Sequence, residues 1–233
     1  ASFERGTLKK KKKGTTDQPN GTEMTFIPDD DPKVFGQYSY NEDYIKERLW
    51  NYAYLNKGLT ISFNGRLIKS QNGLMDLVHK ILGEDGLYPL ITFKNKHLEY
   101  AFTHTNGYGE SYHSYVNGQY TSDGGTHEAA FKEGVLKGIN EYYKKSWASP
   151  EIRDGIVATV AIKVQNPVFE SQTKNKLGNT DVRQWIVQEV KESVIDCLMK
   201  NKEIAKGLED KIVNNEKVHK EEAAVRNGAK ERA

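Results

Sequence analysis

Phe169–Glu170–Ser171–Gln172–Thr173–Lys174–Asn175–Lys176–Leu177–Gly178–Asn179–Thr180–Asp181–Val182–Arg183 is a polar, lysine-bearing loop between a β-branched apolar run and a strongly periodic helix. A strand that feeds such a loop, followed by a helix N-terminus, is suited to delivering donors to a phosphate. Lys174 supplies a point charge and Gln172 and Thr173 add hydrogen bonds, while the helix end contributes its positive dipole. A solvated surface loop is the plain alternative for any isolated Gln-Thr-Lys. The neighbouring sequence decides between the two.

The elements around the loop alternate. Gly155–Val164 is the most β-like run, apolar on both faces for most of its length, which predicts a central strand. Asn179 or Thr180 is expected to cap a helix reaching about Asn201, with Val182, Trp185, Ile186, Val190 and Leu198 inward. Upstream, Gly124–Gly125 breaks the chain into a helix over Thr126–Lys144, capped by Thr126 and burying Phe131, Val135, Leu136, Ile139 and Tyr143. Strands are expected at Ile91–Phe93, Leu98–Thr105 and Tyr108–Val116, the last two joined as a hairpin across Asn106–Gly107. Tyr100, Tyr108, Tyr112 and Tyr115 read as half-buried sheet residues, because too few basic residues surround them for a base-stacking platform. Asn41–Leu55 and Gly73–Leu82 read as helices, with a hairpin over Leu59–Lys69 turning at Asn64–Gly65. Thr22–Ile27 alternates as a strand, stopped by Pro28 and a solvated acidic turn, Asp29–Asp31. A charged segment runs from Lys202 past Val218. The first 21 residues, with five consecutive lysines at Lys9–Lys13, read as a flexible loop, with a weak phosphate or DNA contact as the sharper alternative. Strands and helices at this spacing give an α+β fold.

The 233 residues suit one large or two small domains, and 36% hydrophobic content with 28% charged residues describes a modest core under a wet surface. A net charge of +2 leaves any nucleic-acid contact to local patches. Cys197, the single cysteine, sits in an apolar helical stripe and reads as a small buried residue of a reducing compartment. No signal peptide is evident, and Ile156–Val164 is far short of the ~20 apolar residues of a membrane helix; a cytoplasmic location is expected.

Several chemistries fail on their own motifs. His127–Glu128–Ala129–Ala130 is followed by Phe131, so the second histidine of a zinc protease is missing. The six histidines show no paired metal spacing. Gly107–Tyr108–Gly109 continues to Tyr112 where a dinucleotide fingerprint needs glycine, and no nucleophile elbow occurs.

The whole pattern resembles the transducer region of the ATPase (B) subunit of bacterial type II DNA topoisomerases, gyrase and topoisomerase IV. Three segments carry the resemblance: Ser114–Tyr115–Val116–Asn117 with Gly124–Gly125–Thr126–His127–Glu128; Glu151–Ile152–Arg153–Asp154–Gly155–Ile156–Val157–Ala158; and Asn166 through Asn179. Arg48–Leu49, Ala53–Gly58 and Gly73–Leu74 resemble the start of the same region. Val116–Gln119 and Phe169–Ser171 are closer to topoisomerase IV than to gyrase.

The resemblance implies a two-layer α+β sandwich, with helices on one face of a mixed sheet and a left-handed βαβ crossover. It divides the chain into a remnant of the GHKL ATP-binding domain (1–35), the transducer (36–215) and a charged helix or tail (216–233). The acidic-base helix, the D-x-G-x-G turn and the glycine-rich lid of the GHKL domain do not occur, so an excised piece, inactive alone and with no catalytic residue of its own, is expected. Gln172, Thr173 and Lys174 would reach the γ-phosphate of ATP held in the neighbouring domain, coupling hydrolysis to gate movement and DNA strand passage. ATP and Mg2+ belong to the intact subunit, with none bound by this stretch alone. Lys132, Lys137, Lys144, Lys145 and Arg153 are candidates for a DNA-facing cavity, against a plain solvated face. Partners would be the GHKL domain, the topoisomerase A subunit, double-stranded DNA and a second copy in the intact enzyme, with no membrane. A monomer or weak dimer is expected of this stretch. The rival classes are a free-standing phosphate- or RNA-binding module and an interaction domain built on Glu203–Arg232.

Overall fold

The computed structural model describes residues 1–230 apart from Gln18, Asp30, Gln37, Glu84 and Asp85, with backbone alone for 226–230. The expectations for Asp30 and for residues 231–233 fall outside it. The chain forms two compact units, Ala1–Asn41 and Glu42–Ala233.

In the first unit β1 (Ser2–Glu4) and β2 (Thr7–Lys10) pair antiparallel across Arg5–Gly6, both at positive φ, and Lys9 reaches Glu4 at 3.4 Å. The expectation of a flexible loop up to residue 21 is corrected here: a two-residue turn gives the lysine-bearing strand a partner. Thr22–Ile27, expected as a strand, is irregular, with Met24, Phe26 and Ile27 exposed. No ladder partner among the described residues satisfies its backbone, and alternation alone does not make a strand.

The second unit is built on a five-stranded mixed sheet in the order β5 (Ile91–Lys94), β6 (Leu98–His104), β9 (Ile156–Ile162), β7 (Glu110–Val116), β8 (Gln119–Tyr120). All neighbours are antiparallel except β7 and β9, which are parallel. β9 is central, as its apolar run predicts. It also separates β6 from β7, so these strands do not form the expected hairpin. Gly155, at φ 85°, ties the turn between them: Thr105 donates to its carbonyl and its own N–H reaches Gly109. A side chain on Gly155 would meet the Thr105 carbonyl oxygen at 2.7 Å.

α3 (Thr126–Tyr143) and α5 (Val182–Lys200) pack along one another over one face of the sheet, with Phe131, Val135, Ile139, Ile186, Val190 and Val194 buried against Tyr100, Phe102 and Val160. Trp185, Leu136 and Tyr143 are only partly buried, Cys197 likewise, and Tyr108 is exposed. α1 (Glu42–Leu55) and α2 (Leu74–Leu82) cover the other face, where Tyr54, Leu77 and Val78 meet Ala101, Tyr115 and Val157. Helices therefore lie on both faces rather than one. The cause is in the strands: β6 and β9 are buried on both sides, and a doubly apolar sheet needs two covers.

β3 (Thr60–Phe63) and β4 (Arg66–Lys69) form the expected hairpin at Asn64–Gly65, both at positive φ. A short α4 (Ser149–Arg153), not foreseen, carries α3 into β9. The charged segment is one helix, α6 (Lys202–Lys230), whose buried Leu208 and Ile212 join the core. Its polar face clasps the turn after α4: Asn215 donates to the carbonyls of Glu151 and Asp154 at 2.9 Å each.

Candidate functional site

The Gln-Thr-Lys segment is the tip of a tongue leaving the end of β9. At its base Phe169 pairs antiparallel with Leu177, Glu170 N–H donates to the Lys176 carbonyl and Gly178 N–H to that of Val168. The tip closes as a turn, Lys174 N–H to Ser171 carbonyl at 3.0 Å, with the Ser171 and Thr173 hydroxyls 2.6 Å apart. Gln172, Thr173 and Lys174 are exposed. Lys174 sits at φ 58°, a left-handed conformation that costs a non-glycine residue roughly 1–2 kcal/mol and is held here by the turn. Lys176 is neutralised by Glu170 at 3.0 Å, whereas Lys174 makes no ion pair among the described residues. The tip thus presents one uncompensated cation beside a hydroxyl and an amide, a donor set that fits a terminal phosphate.

The return limb of the tongue is also bonded to the start of α3. Asp123 N–H donates to the Asn175 carbonyl, Leu177 N–H to that of Gly124, and Thr126 N–H to that of Leu177. Gly125 and Leu177 form a parallel bridge. The glycine pair and the lysine loop, distant in sequence, are one structure. Thr126 is the first residue of α3 rather than its cap, and its hydroxyl lies 3.4 Å from the Leu177 carbonyl. Neither Asn179 nor Thr180 caps α5, which begins after Asp181. Asn179 instead binds Val168 N–H at 2.6 Å and the Asn166 carbonyl at 3.3 Å, closing the tongue.

His127 is buried and its Nε2 meets Thr121 Oγ1 at 3.2 Å, on a hydroxyl pair with Ser114. Burial drives its pKa down to about 4 against the pull of Glu128, so the ring is neutral. Of the five basic candidates, two converge: Lys132 and Arg153 approach Glu110 at 3.9 and 3.5 Å. Lys132 also pairs with Glu128 at 2.9 Å and lies 3.9 Å from the Tyr112 ring centre. Lys137 pairs with Glu133, which Arg183 also holds. Lys144 and Lys145, past the end of α3, are exposed without an ion pair among the described residues. Among the described residues no group of three or more His, Cys, Asp or Glu could hold a metal ion, and no helix is long and apolar enough to cross a membrane.

Sequence reasoning missed the seam between Asp123–Thr126 and Asn175–Leu177. Two consecutive glycines before a helix were its one visible trace, and periodicity carries no information on a contact 51 residues apart.

Residues 60–228 match the family described as DNA gyrase B. The B subunit of DNA topoisomerase 4 from Borreliella burgdorferi is 46% identical over 100% of this chain and 39% of its own length. The B subunit of DNA gyrase from Thermotoga maritima is 32% identical over 91% of the chain and 37% of its own. The chain thus spans well under half of each of these two relatives. The fold is similar to the 43K ATPase domain of Thermus thermophilus gyrase B crystallised with an aminocoumarin (TM-score 0.71, 28% identity, 84% of this chain and 59% of that one). It is also similar to the topoisomerase IV ATP-binding domain of Francisella tularensis in complex with a small-molecule inhibitor (TM-score 0.64, 27% identity, 79% and 56%). With a family match over most of its length and a relative at 46% identity across all of it, the chain belongs to the DNA gyrase B family, the B subunits of type II DNA topoisomerases.

Proposed function

We propose that this chain is the transducer of an ATP-dependent type II DNA topoisomerase B subunit, and that its exposed tongue reads the terminal phosphate of ATP bound in the adjoining ATP-binding domain. One observation carries the reading: Lys174, without an ion pair among the described residues, stands at the tip in a strained left-handed conformation, on a loop whose base is bonded to the start of α3. A charge held out on a braced loop responds strongly to the presence or loss of a phosphate charge. When hydrolysis removes that charge, Lys174 loses its counter-ion and the tongue is free to shift with the helix attached to it. Gln172 and Thr173 add donors beside it. Mg2+ would accompany the nucleotide, and the ligands for it lie outside the transducer.

In this reading residues 1–35 are the end of the ATP-binding domain and residues 36–215 the transducer, which alone turns over no ATP. The A subunit, double-stranded DNA, a second copy of the whole subunit and a cytoplasmic setting complete the enzyme. Topoisomerase IV is favoured over gyrase by 46% identity against 32%. Lys144 and Lys145 are the DNA-facing pair, since Lys132, Lys137 and Arg153 are already held in ion pairs. We assign the crossover from β7 through α3 to β9 the left hand. Ile162 points its side chain under α3 and α5 and offers its carbonyl to Asn117, just past β7. In a strand of L-residues these two directions fix each other. Seen from the α3 face with β9 running upward, β7 lies on the right, so the connection runs leftward.

Lys174→Ala in the full-length subunit tests the reading. Losing a charge-assisted contact of about 1.5–3 kcal/mol lowers ATP turnover roughly 10- to 100-fold and erodes the preference for a non-hydrolysable ATP analogue over ADP. Turnover and preference both unchanged would mean that the tongue is structural. A free-standing phosphate or RNA module predicts that outcome.

A further inference from the structure

We propose that Gly125 is a positioning residue for Lys174: it lets the start of α3 approach the sensor tongue so closely that the two move as one piece. The inference rests on the phosphate-sensing reading above and extends it to a residue that touches no nucleotide.

The geometry is specific to this glycine. Gly125 adopts φ 131°, a region that side chains other than hydrogen rarely enter. A Cβ there would lie 2.5 Å from both the backbone nitrogen and the carbonyl oxygen of Leu177 and 2.9 Å from its Cα. These are backbone atoms, and they cannot swing aside. They belong to a residue 1% exposed, locked into the core under α3 and α5. Leu177 bonds on both sides of the glycine, through the Gly124 carbonyl and the Thr126 N–H, and lies three positions after Lys174. Any side chain at 125 must therefore push the return limb away from α3, break those two bonds and release the tip.

Neighbouring glycines make internal controls. Gly118 also has a positive φ, 83°, but a Cβ there would meet nothing within 4 Å. Gly118→Ala thus reproduces the backbone strain without the collision. At Gly124, φ 66°, a Cβ would meet the Glu128 carboxylate at 2.9 Å, the movable end of a side chain. Gly124→Ala perturbs the same seam more gently.

The readout is the ratio of affinities for a non-hydrolysable ATP analogue and ADP, measured by calorimetry on the full-length subunit. A merely structural defect reduces the fraction of active protein and leaves this ratio alone. Lys174→Ala should collapse the ratio by about tenfold or more and Gly125→Ala by several-fold, and the double variant should be no worse than Lys174→Ala, where independent effects would multiply. Gly118→Ala should match the parent. Hydrogen exchange on the 233-residue chain should show the Leu177 and Thr126 amides opening faster in Gly125→Ala and unchanged in Gly118→Ala. If Gly125→Ala does not fold, Gly124→Ala carries the same cycle, with a smaller loss that is again absorbed by Lys174→Ala. A normal ratio in the glycine variant beside a collapsed one in Lys174→Ala overturns the positioning role, and so do multiplying effects. An unchanged ratio in Lys174→Ala itself sinks the sensor reading, and the positioning role with it.

Discussion

Thr22–Ile27 and Ile156–Ile162 are both runs that a reader of sequence writes as strands. The second is central and fully laddered: Ala158 sits between Phe102 on one neighbour and Tyr112 on the other, and Ile156, Ala158 and Val160 are at most 1% exposed. The first stays irregular, with Phe26 70% and Ile27 88% exposed. The first alternates and the second is apolar on both faces, and either pattern is compatible with a strand. The backbone of β9 has partners on both edges and apolar cover on both faces, and that of Thr22–Ile27 has no ladder among the described residues, so strand preference is realised in one and idle in the other. β2 makes the converse point: poor strand formers such as Lys9 and Lys10 lie in a strand because the Arg5–Gly6 turn brings β1 alongside.

The sharpest way to break this contrast is to remove a side chain on which the sheet leans. Phe131 is fully buried, with its ring 5.3 Å from Tyr100, 5.9 Å from Phe102 and 6.4 Å from Tyr112. Phe131→Ala should destabilise the second unit by about 3–5 kcal/mol, the combined loss of burial and creation of a cavity. The urea midpoint followed by tryptophan fluorescence measures it, because Trp50, Trp147 and Trp185 all lie in that unit. A loss under about 1 kcal/mol would mean that α3 is not seated on the sheet as described.

Legibility followed the same division. Elements whose signal is local were read nearly to the residue: the helices of α1, α2, α3 and α5, the Asn64–Gly65 hairpin, and β9 as a central strand. The errors are those of partnership. The β6–β7 hairpin failed because Asn106–Gly107 is a good turn wherever it occurs, while insertion of β9 depends on a strand some 50 residues later. The second helical layer was missed because α1 and α2 announce their apolar faces without saying which side of the sheet they cover. In the site, residue types at the tongue were legible and its brace was not: the Gly125–Leu177 bridge is made of backbone, for which sequence has no letter.

Acid should separate the units next. Burial pushes the His104 pKa from 6.5 down to about 4; the Ile152 carbonyl, which accepts from Nε2–H at 2.7 Å, works against that shift. His127 is likewise at about 4 through burial. An unfolded chain takes up these protons near 6.5, whereas the folded chain does not until about 4. Stability from keeping both rings neutral is complete above pH 6.5 and is lost as pH falls toward 4. The loss is about 2 kcal/mol per histidine between pH 7 and 5. Urea midpoints at these two pH values measure it, and His104→Gln, though less stable at neutral pH, should lose less on acidification. Equal losses in parent and variant would place the titrating group elsewhere.

The smallest effect is the most telling for the exposed run. Phe26 is a large aromatic at an apolar position of an alternating run, and by type alone its removal should cost as much as that of Phe131. Its exposure says otherwise: a side chain already in water loses little on truncation, so Phe26→Ala should shift stability by less than about 0.5 kcal/mol in this chain. The measurement is the same tryptophan-detected unfolding, supplemented by circular dichroism for the first unit. A cost of about 2 kcal/mol or more would show that Phe26 is buried within this chain and would erase the contrast with β9. No shift here, followed by a large one for the same substitution in the full-length subunit, would sharpen it instead. The strand written at Thr22–Ile27 would then be a real one, awaiting backbone partners that lie outside these 233 residues.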